Sequence, residues 1–212
     1  MTTVASFSDT VRAVGSYTLS KIIPLQESYL GGPNASWARA QLARLRKLGT
    51  PEDRTWFSVG ADVFGGWPED KLGVPGESSA AFKAISAALQ LYALHQQSQD
   101  RPMALVPGKG EPTRKGGFGR ACRLIEFDLD KAGGVRRRLS QVETAGDIEH
   151  ALVFLRALVS QLRQGHIPLD YYAFAGDLYR IQFAASRGSV FNRWSREYYM
   201  AREDETDPGA SE

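Results

Sequence analysis

The chain has 212 residues, 42% of them apolar, with 26 Lys/Arg against 24 Asp/Glu; that suits one compact domain or two small ones with a proper core. Its single cysteine, Cys122, excludes a disulfide framework and a cysteine-based zinc site and fits a reducing cytoplasm. No apolar run approaches the roughly 18 residues of a membrane span and no signal-peptide pattern opens the chain, so a soluble, cytoplasmic protein without a membrane partner is expected.

The elements read as helices from end to end. Residues 17–30 form the first, bent at Pro24. Asn34 or Ser36 caps a second over 37–48, stopped by Gly49. Pro51, Glu52 and Asp53 make a good first turn for a third that runs to Phe64. Residues 78–97 are Ala/Leu-rich with apolar positions three and four apart, a helical period. Residues 98–117 break the pattern with Pro102, Pro107, Pro112 and four glycines, and read as a long mobile loop. Helices resume over 118–131, 135–144, 147–164, 170–184 and 189–202. Alternating β-type patterns are almost absent. The fold class is therefore all-α, with eight or nine helices in two small helical bundles. The division is an N-terminal helical block over 1–97, a basic loop over 98–117, a C-terminal helical block over 118–202 and an acidic, disordered tail over 203–212.

Charge is unevenly spread along this frame. Between Arg101 and Arg138 lie ten Lys/Arg and four Asp/Glu, interleaved with Gly116, Gly117, Gly119, Gly133 and Gly134. Such a local surplus concentrates positive potential, and its commonest partner is a polyanion backbone. The basic residues are 19 Arg and 7 Lys, and the arginine fork matches phosphate oxygens.

Wheels at about 100° per residue sort the helices into faces. In 37–48, Trp37, Ala38, Leu42, Leu45 and Leu48 face the core. Arg39, Arg46 and Lys47 lie opposite, with Arg44 at the boundary. After the loop, Phe118, Ala121, Cys122, Ile125 and Leu129 face inward, while Arg120, Arg123 and Lys131 share the other side with Phe127. In 147–164, Ile148, Leu152, Leu155, Val159 and Leu162 make the core stripe, flanked by Arg156 and Arg163.

Catalytic patterns are missing. His95, His150 and His166 have no spacing for a shared metal, and His95 reads as a packed or capping residue. Asp128 and Asp130, two apart on a helix, diverge by about 200°. The stretch from Gly116 to Arg120 resembles a phosphate-cradling turn entering a helix N-terminus, but no strand precedes it as a nucleotide-binding fingerprint requires. The expectation is a non-enzyme with no cofactor and no metal.

The runs Trp37-Ala38-Arg39-Ala40 and Leu42-Ala43-Arg44-Leu45-Arg46 resemble the opening of the CasB family, the small subunit of the type I-E CRISPR surveillance complex called Cascade. The similarity continues in order through Leu91-Tyr92-Ala93-Leu94-His95-Gln96, Gly117-Phe118-Gly119-Arg120-Ala121 and Arg136-Arg137-Arg138. It passes Leu155-Arg156 and Leu162-Arg163, then Gly165-His166-Ile167-Pro168-Leu169-Asp170-Tyr171 and Asp177-Leu178. It closes on Arg193-Trp194 and Tyr198-Tyr199. Together these pieces cover residues 34–200. The first 33 residues, much of 65–76 and the acidic tail lie outside it.

The resemblance implies an all-helical, non-catalytic subunit of an antiviral defence complex, present as a pair. Its implied partners are a second copy, the backbone and large subunits of Cascade, the guide RNA and the target DNA, including the displaced strand of the R-loop. In such systems base pairing reads sequence, so an accessory surface need only track backbone charge. The residues expected to line one groove along a strand are Arg39, Arg44 and Arg46 on one helix and Arg120 and Arg123 on another. Arg136, Arg137 and Arg138 extend it, with Lys115 closing over it and Arg156 at its edge. The alternative from another class is a helical protein–protein adaptor whose arginines meet acidic partners; a third, a DNA-binding regulator, has no clear helix-turn-helix behind it.

Overall fold

The computed structural model describes residues 6–48, 56–76, 78–106, 116–125 and 133–200. Among these are ten helices: α1 (Phe7–Tyr29), α2 (Ala35–Leu45), α3 (Trp56–Phe64), α4 (Glu69–Leu72), α5 (Ala80–His95), α6 (Phe118–Ile125), α7 (Gly133–Thr144), α8 (Ile148–Gln164), α9 (Tyr171–Arg180) and α10 (Ala184–Tyr199). The only extended pairing among the described residues is an isolated bridge between Ala104 and Leu169. The all-α expectation is met.

Local chemistry sets most boundaries. The Ser79, Asp147 and Asp170 side chains accept from the backbone N–H three residues on, capping α5, α8 and α9. α1 starts ten residues earlier than expected because Ser6 and Asp9 form a reciprocal cap, and the helix continues through Pro24. Gly15 hid this extension in the sequence. It lies where α1 meets α9, and a Cβ there would come within 2.7 Å of the Tyr172 carbonyl oxygen.

α5 is the hub. Its Ala84, Ile85, Ala88, Leu89, Leu91, Tyr92 and Ala93 are all fully enclosed, as expected of a helix that is apolar on every side. It packs against α1, α2, α8 and α9, so the N-terminal and C-terminal blocks contribute to one core. At its end the buried His95 meets the Tyr171 hydroxyl through Nδ1 at 3.2 Å. Burial holds the imidazole down to about 4, with Arg163 acting in the same direction, so the packed-histidine reading holds.

The first part of the expected mobile loop is a pinned strap. Met103 and Ala104 are buried. Leu105 N–H donates to Leu169 O and Leu169 N–H to Met103 O, both at 2.9 Å. Gln26 grips Ala104 N–H and C=O, and Gln96 holds Met103 N–H and Arg101 C=O. The buried glutamines, not the prolines, decide this segment. Residues 107–115 and the acidic tail lie outside the described residues, as do Leu129, Lys131, Phe127 and the Asp128/Asp130 pair.

Candidate nucleic-acid interface

α2 presents Arg39 and Arg44 outward. Arg39 is exposed and its guanidinium stands over the Tyr29 ring, 5.9 Å from the centroid. Arg44 is also exposed and donates to Gln41 Oε1 at 2.7 Å. Arg46 is half-buried. Burial pulls its pKa below the usual value; Tyr29 opposes this and Arg163 reinforces it. Arg163 donates to Gln97 Oε1 at 3.1 Å. Arg39 and Arg46 are therefore both neighbours of Tyr29, and Arg163, held by Gln97 after α5, lies close enough to act on Arg46. The contacts of Arg39, Arg44 and Arg163 are to a ring and to neutral amides, so none of these contacts cancels a positive charge. Trp37, expected inward, is 48% exposed on the same helix, while Ala38, Leu42, Leu45 and Leu48 are buried as expected.

α8 links this corner to α7, against which it packs. Arg156 is half-buried and seven residues before Arg163, so the two share one face about 10 Å apart along the axis. On α7, Arg137 is exposed, Arg138 is half-buried and donates to Gly134 O at 3.1 Å, and Arg136 is half-buried beside Phe191, Trp194, Tyr198 and Tyr199 of α10.

α6 departs from expectation. It packs against both α10 and α8, whereas α2 packs against α1, α3 and α5. Covered on two sides, α6 has no open polar face of the kind the wheel suggested. Arg123 is only 7% exposed, which removes it from any open groove. Arg120 is half-buried and belongs to a different feature, a cleft of about 710 Å³ between α1, α6, α9 and α10. Arg12, Arg120, Arg180, Arg193 and Arg196 line it, together with Asp170, Asp177 and Glu197. Lys115 lies outside the described residues.

The glycine run at the start of α6 is not a phosphate cradle. Glu197 occupies that helix end: its Oε2 accepts from Gly119 N–H at 3.2 Å, and the Arg120 N–H also lowers its pKa. Burial nevertheless dominates and pushes the Glu197 carboxyl above its ordinary range. The glycines exist for packing. A Cβ on Gly119 would lie 2.0 Å from the Trp194 carbonyl oxygen, and one on Gly117 2.5 Å from a Glu197 oxygen. Nearby, Asp177 accepts from Trp194 Nε1–H at 2.8 Å and from the Arg193 guanidinium. Burial raises its pKa against the pull of Arg193.

The other two histidines are paired locally. His150 pairs with its own cap Asp147 at 2.7 Å, and His166 Nδ1 with Gln99 Oε1 at 2.6 Å. Among the described residues no group of three His, Cys, Asp or Glu side chains could hold a metal. No helix among them is long and apolar enough to cross a membrane.

The family described as CRISPR-associated protein Cse2 matches this sequence over residues 38–199. The chain belongs to that family. A solved structure titled as CasB from Thermobifida fusca superposes with a TM-score of 0.68 at 28% identity, covering 88% of this chain and 98% of that one. No curated protein sequence matches. The family expected from the ordered motifs, the small subunit of type I-E Cascade, is the family found. Residues 6–37, which carry α1 and Tyr29, precede the matched span, yet α1 packs against α2, α5 and α9 of the matched part.

Sequence reasoning missed Arg163 as a partner of Arg46, although its seven-residue spacing from Arg156 was visible. It also missed Arg12, Arg180 and Arg196, which only the packing of α1, α9 and α10 brings together.

Proposed function

We propose that this Cse2-family chain is a non-catalytic subunit that holds nucleic-acid backbone within the Cascade complex, steadying target DNA and the displaced strand of the R-loop. It works beside the guide RNA, the backbone and large subunits and a second copy of itself, in the cytoplasm. The observation that supports this best is the corner where Arg39 stands over the Tyr29 ring, Arg46 lies within electrostatic reach of Tyr29 and Arg163, and Arg163 donates to the neutral Gln97 amide, none of the three making an ion pair among the described residues. Holding two guanidiniums within repulsive range of one another is unfavourable unless an anion later joins them. A phosphodiester supplies that anion, and the forked donors suit its oxygens. Arg156, Arg137 and Arg138 continue the track along α8 and α7. No base-reading arrangement is needed, because pairing with a guide supplies specificity and strand exchange is nearly balanced in energy.

Binding of a labelled single-stranded oligodeoxythymidine, followed by anisotropy as salt rises from about 50 to 200 mM, tests the reading. A steep loss, indifferent to sequence, is expected from backbone contacts. Affinity insensitive to salt would favour the adaptor reading, and preference for one duplex sequence would favour the regulator. Incubation of the same DNA with divalent metals should leave it intact.

A further inference from the structure

The helix that carries Arg136, Arg137 and Arg138 also forms one wall of an aromatic slot. α7 packs against α8, and α10 against α6 and α9, and a cavity of about 160 Å³ remains between α7 and α10. Its α10 wall is Phe191, Trp194 and Tyr198, spaced three and four residues apart on one helical face, with Tyr199 beside them. Arg136 and Leu139 stand on the α7 side. Near the start of α10, Arg187 donates to the carbonyls of Val142, Glu143 and Ala145 at 3.2, 2.8 and 2.7 Å. The end of α7 is thereby fastened to α10, and the slot is preformed.

Size and lining select the occupant. An apolar cavity of about 150 Å³ takes one benzene-sized ring, so this slot has room for a single planar ring and none for a helix or strand of a partner protein. Phe191 and Trp194 meet edge to face, 5.3 Å between centroids, and Tyr198 and Tyr199 do the same at 5.1 Å. Tyr199 is 56% exposed at the mouth, where its ring is accessible to a planar partner. Exposed Ser140, Glu143 and Ser195 line the rim, and their oxygens can accept from N–H groups on the edge of a heterocycle. Exposed Arg137 and half-buried Arg138 lie on the same helix. An apolar side chain would use the rings alone, whereas a nucleotide, a planar ring tied to a phosphate, uses rings and arginines together. Aromatic platforms beside positive charge are how proteins hold single strands.

We propose that the slot between α7 and α10 holds one unpaired nucleobase, stacked on Tyr199, while Arg137 and Arg138 take the flanking phosphates. The proposal rests on the nucleic-acid track along α8 and α7 and adds to it a contact with a base. Every base has a ring face, so stacking of this kind is indifferent to sequence. A base within a duplex is already stacked on its neighbours, and extracting it is costly. The slot therefore takes a single strand and passes over paired DNA.

Anisotropy titrations of the full chain with two labelled single strands of equal length test it. One is oligodeoxythymidine and the other an abasic deoxyribose-phosphate strand of the same charge. The unaltered chain should bind oligodeoxythymidine at least about 5-fold more tightly, the lower end for one stacked base. Tyr199→Leu should remove that difference by weakening oligodeoxythymidine alone, with the salt slope unchanged because no charge is lost. Tyr199→Phe, which keeps the ring, should bind as the unaltered chain does. Tyr199 is exposed, so both variants should retain the helical CD spectrum. Equal affinity of the unaltered chain for the two strands would overturn the proposal and leave the phosphate track standing. So would a preference for oligodeoxythymidine that survives Tyr199→Leu. Failure to bind either strand would instead remove the nucleic-acid reading itself, and the base slot with it.

Discussion

Two arginine clusters sit in one small protein under opposite conditions. At the Tyr29 corner, Arg39 rests on an aromatic ring and Arg163 on a neutral amide, with half-buried Arg46 within electrostatic reach of both Tyr29 and Arg163. In the cleft, Arg193 is locked to buried Asp177 and to Glu197, and those acids also fix α6 and Trp194 in place. The same residue type is an uncompensated charge in the first place and a structural bolt in the second. Counting positive charges along the sequence does not separate the two; what each guanidinium leans on does.

Breaking the bolt should have the largest effect. Asp177→Ala leaves Arg193 without its buried partner and the Trp194 N–H without an acceptor, and should lower unfolding stability by about 3–5 kcal/mol in urea titration. A loss under about 1 kcal/mol would mean that the pair is dispensable and that the cleft is closer in kind to the corner.

The buried imidazole sharpens the contrast between core and surface. His95 is held neutral in the fold, at about 4 against an ordinary 6.5. Its contribution is complete above pH 6.5 and is lost as pH falls from there toward 4, about 3 kcal/mol in all. Asp177 and Glu197, whose carboxyls are raised, act in the opposite sense, losing stability as pH rises through their folded values. The quantity to read is therefore the difference between the unaltered chain and His95→Gln. That difference should shrink by about 3 kcal/mol between about pH 7 and pH 4; parallel pH profiles would contradict the assignment.

Gly119→Ala comes next, at about 1–3 kcal/mol of destabilisation from overpacking α6 against α10. Its Cβ meets backbone rather than a movable side-chain tip. A thermal melt unchanged within a degree would show that α6 sits less tightly than its role in the cleft wall requires.

The smallest effect on stability belongs to the corner. Arg46→Gln with Arg163→Gln removes two repelling cations at partly exposed sites, so stability should move within about 0.5 kcal/mol.

Much of this was legible in the sequence. The helical period of α5 and the helix starts expected at 78, 147 and 170 announced the frame, and the ordered motifs announced the family. Gly15 concealed the first half of α1, because helix propensity knows nothing of the neighbour that demands a glycine there. Gly117 and Gly119 suggested an anion cradle, yet the structure fills that helix end with Glu197, 78 residues away from Gly119. Arg123 fell on the polar side of an isolated wheel, and a wheel cannot foresee a second covering helix. Arg39 lies on an outer face as expected, but Arg46 is half-buried, and its neighbour Arg163 comes from α8, not α6. Tertiary packing decides such company.

The most direct test of the central claim compares the two clusters as binders of the same single strand. In anisotropy titrations with oligodeoxythymidine, Arg46→Gln/Arg163→Gln should weaken binding and reduce the slope of log affinity against log salt by roughly one to two units. Arg180→Gln/Arg196→Gln should leave that slope unchanged. If the corner variant binds like the unaltered chain while the cleft variant loses affinity and slope, the nucleic-acid surface lies in the cleft and the assignment of the Tyr29 corner is wrong.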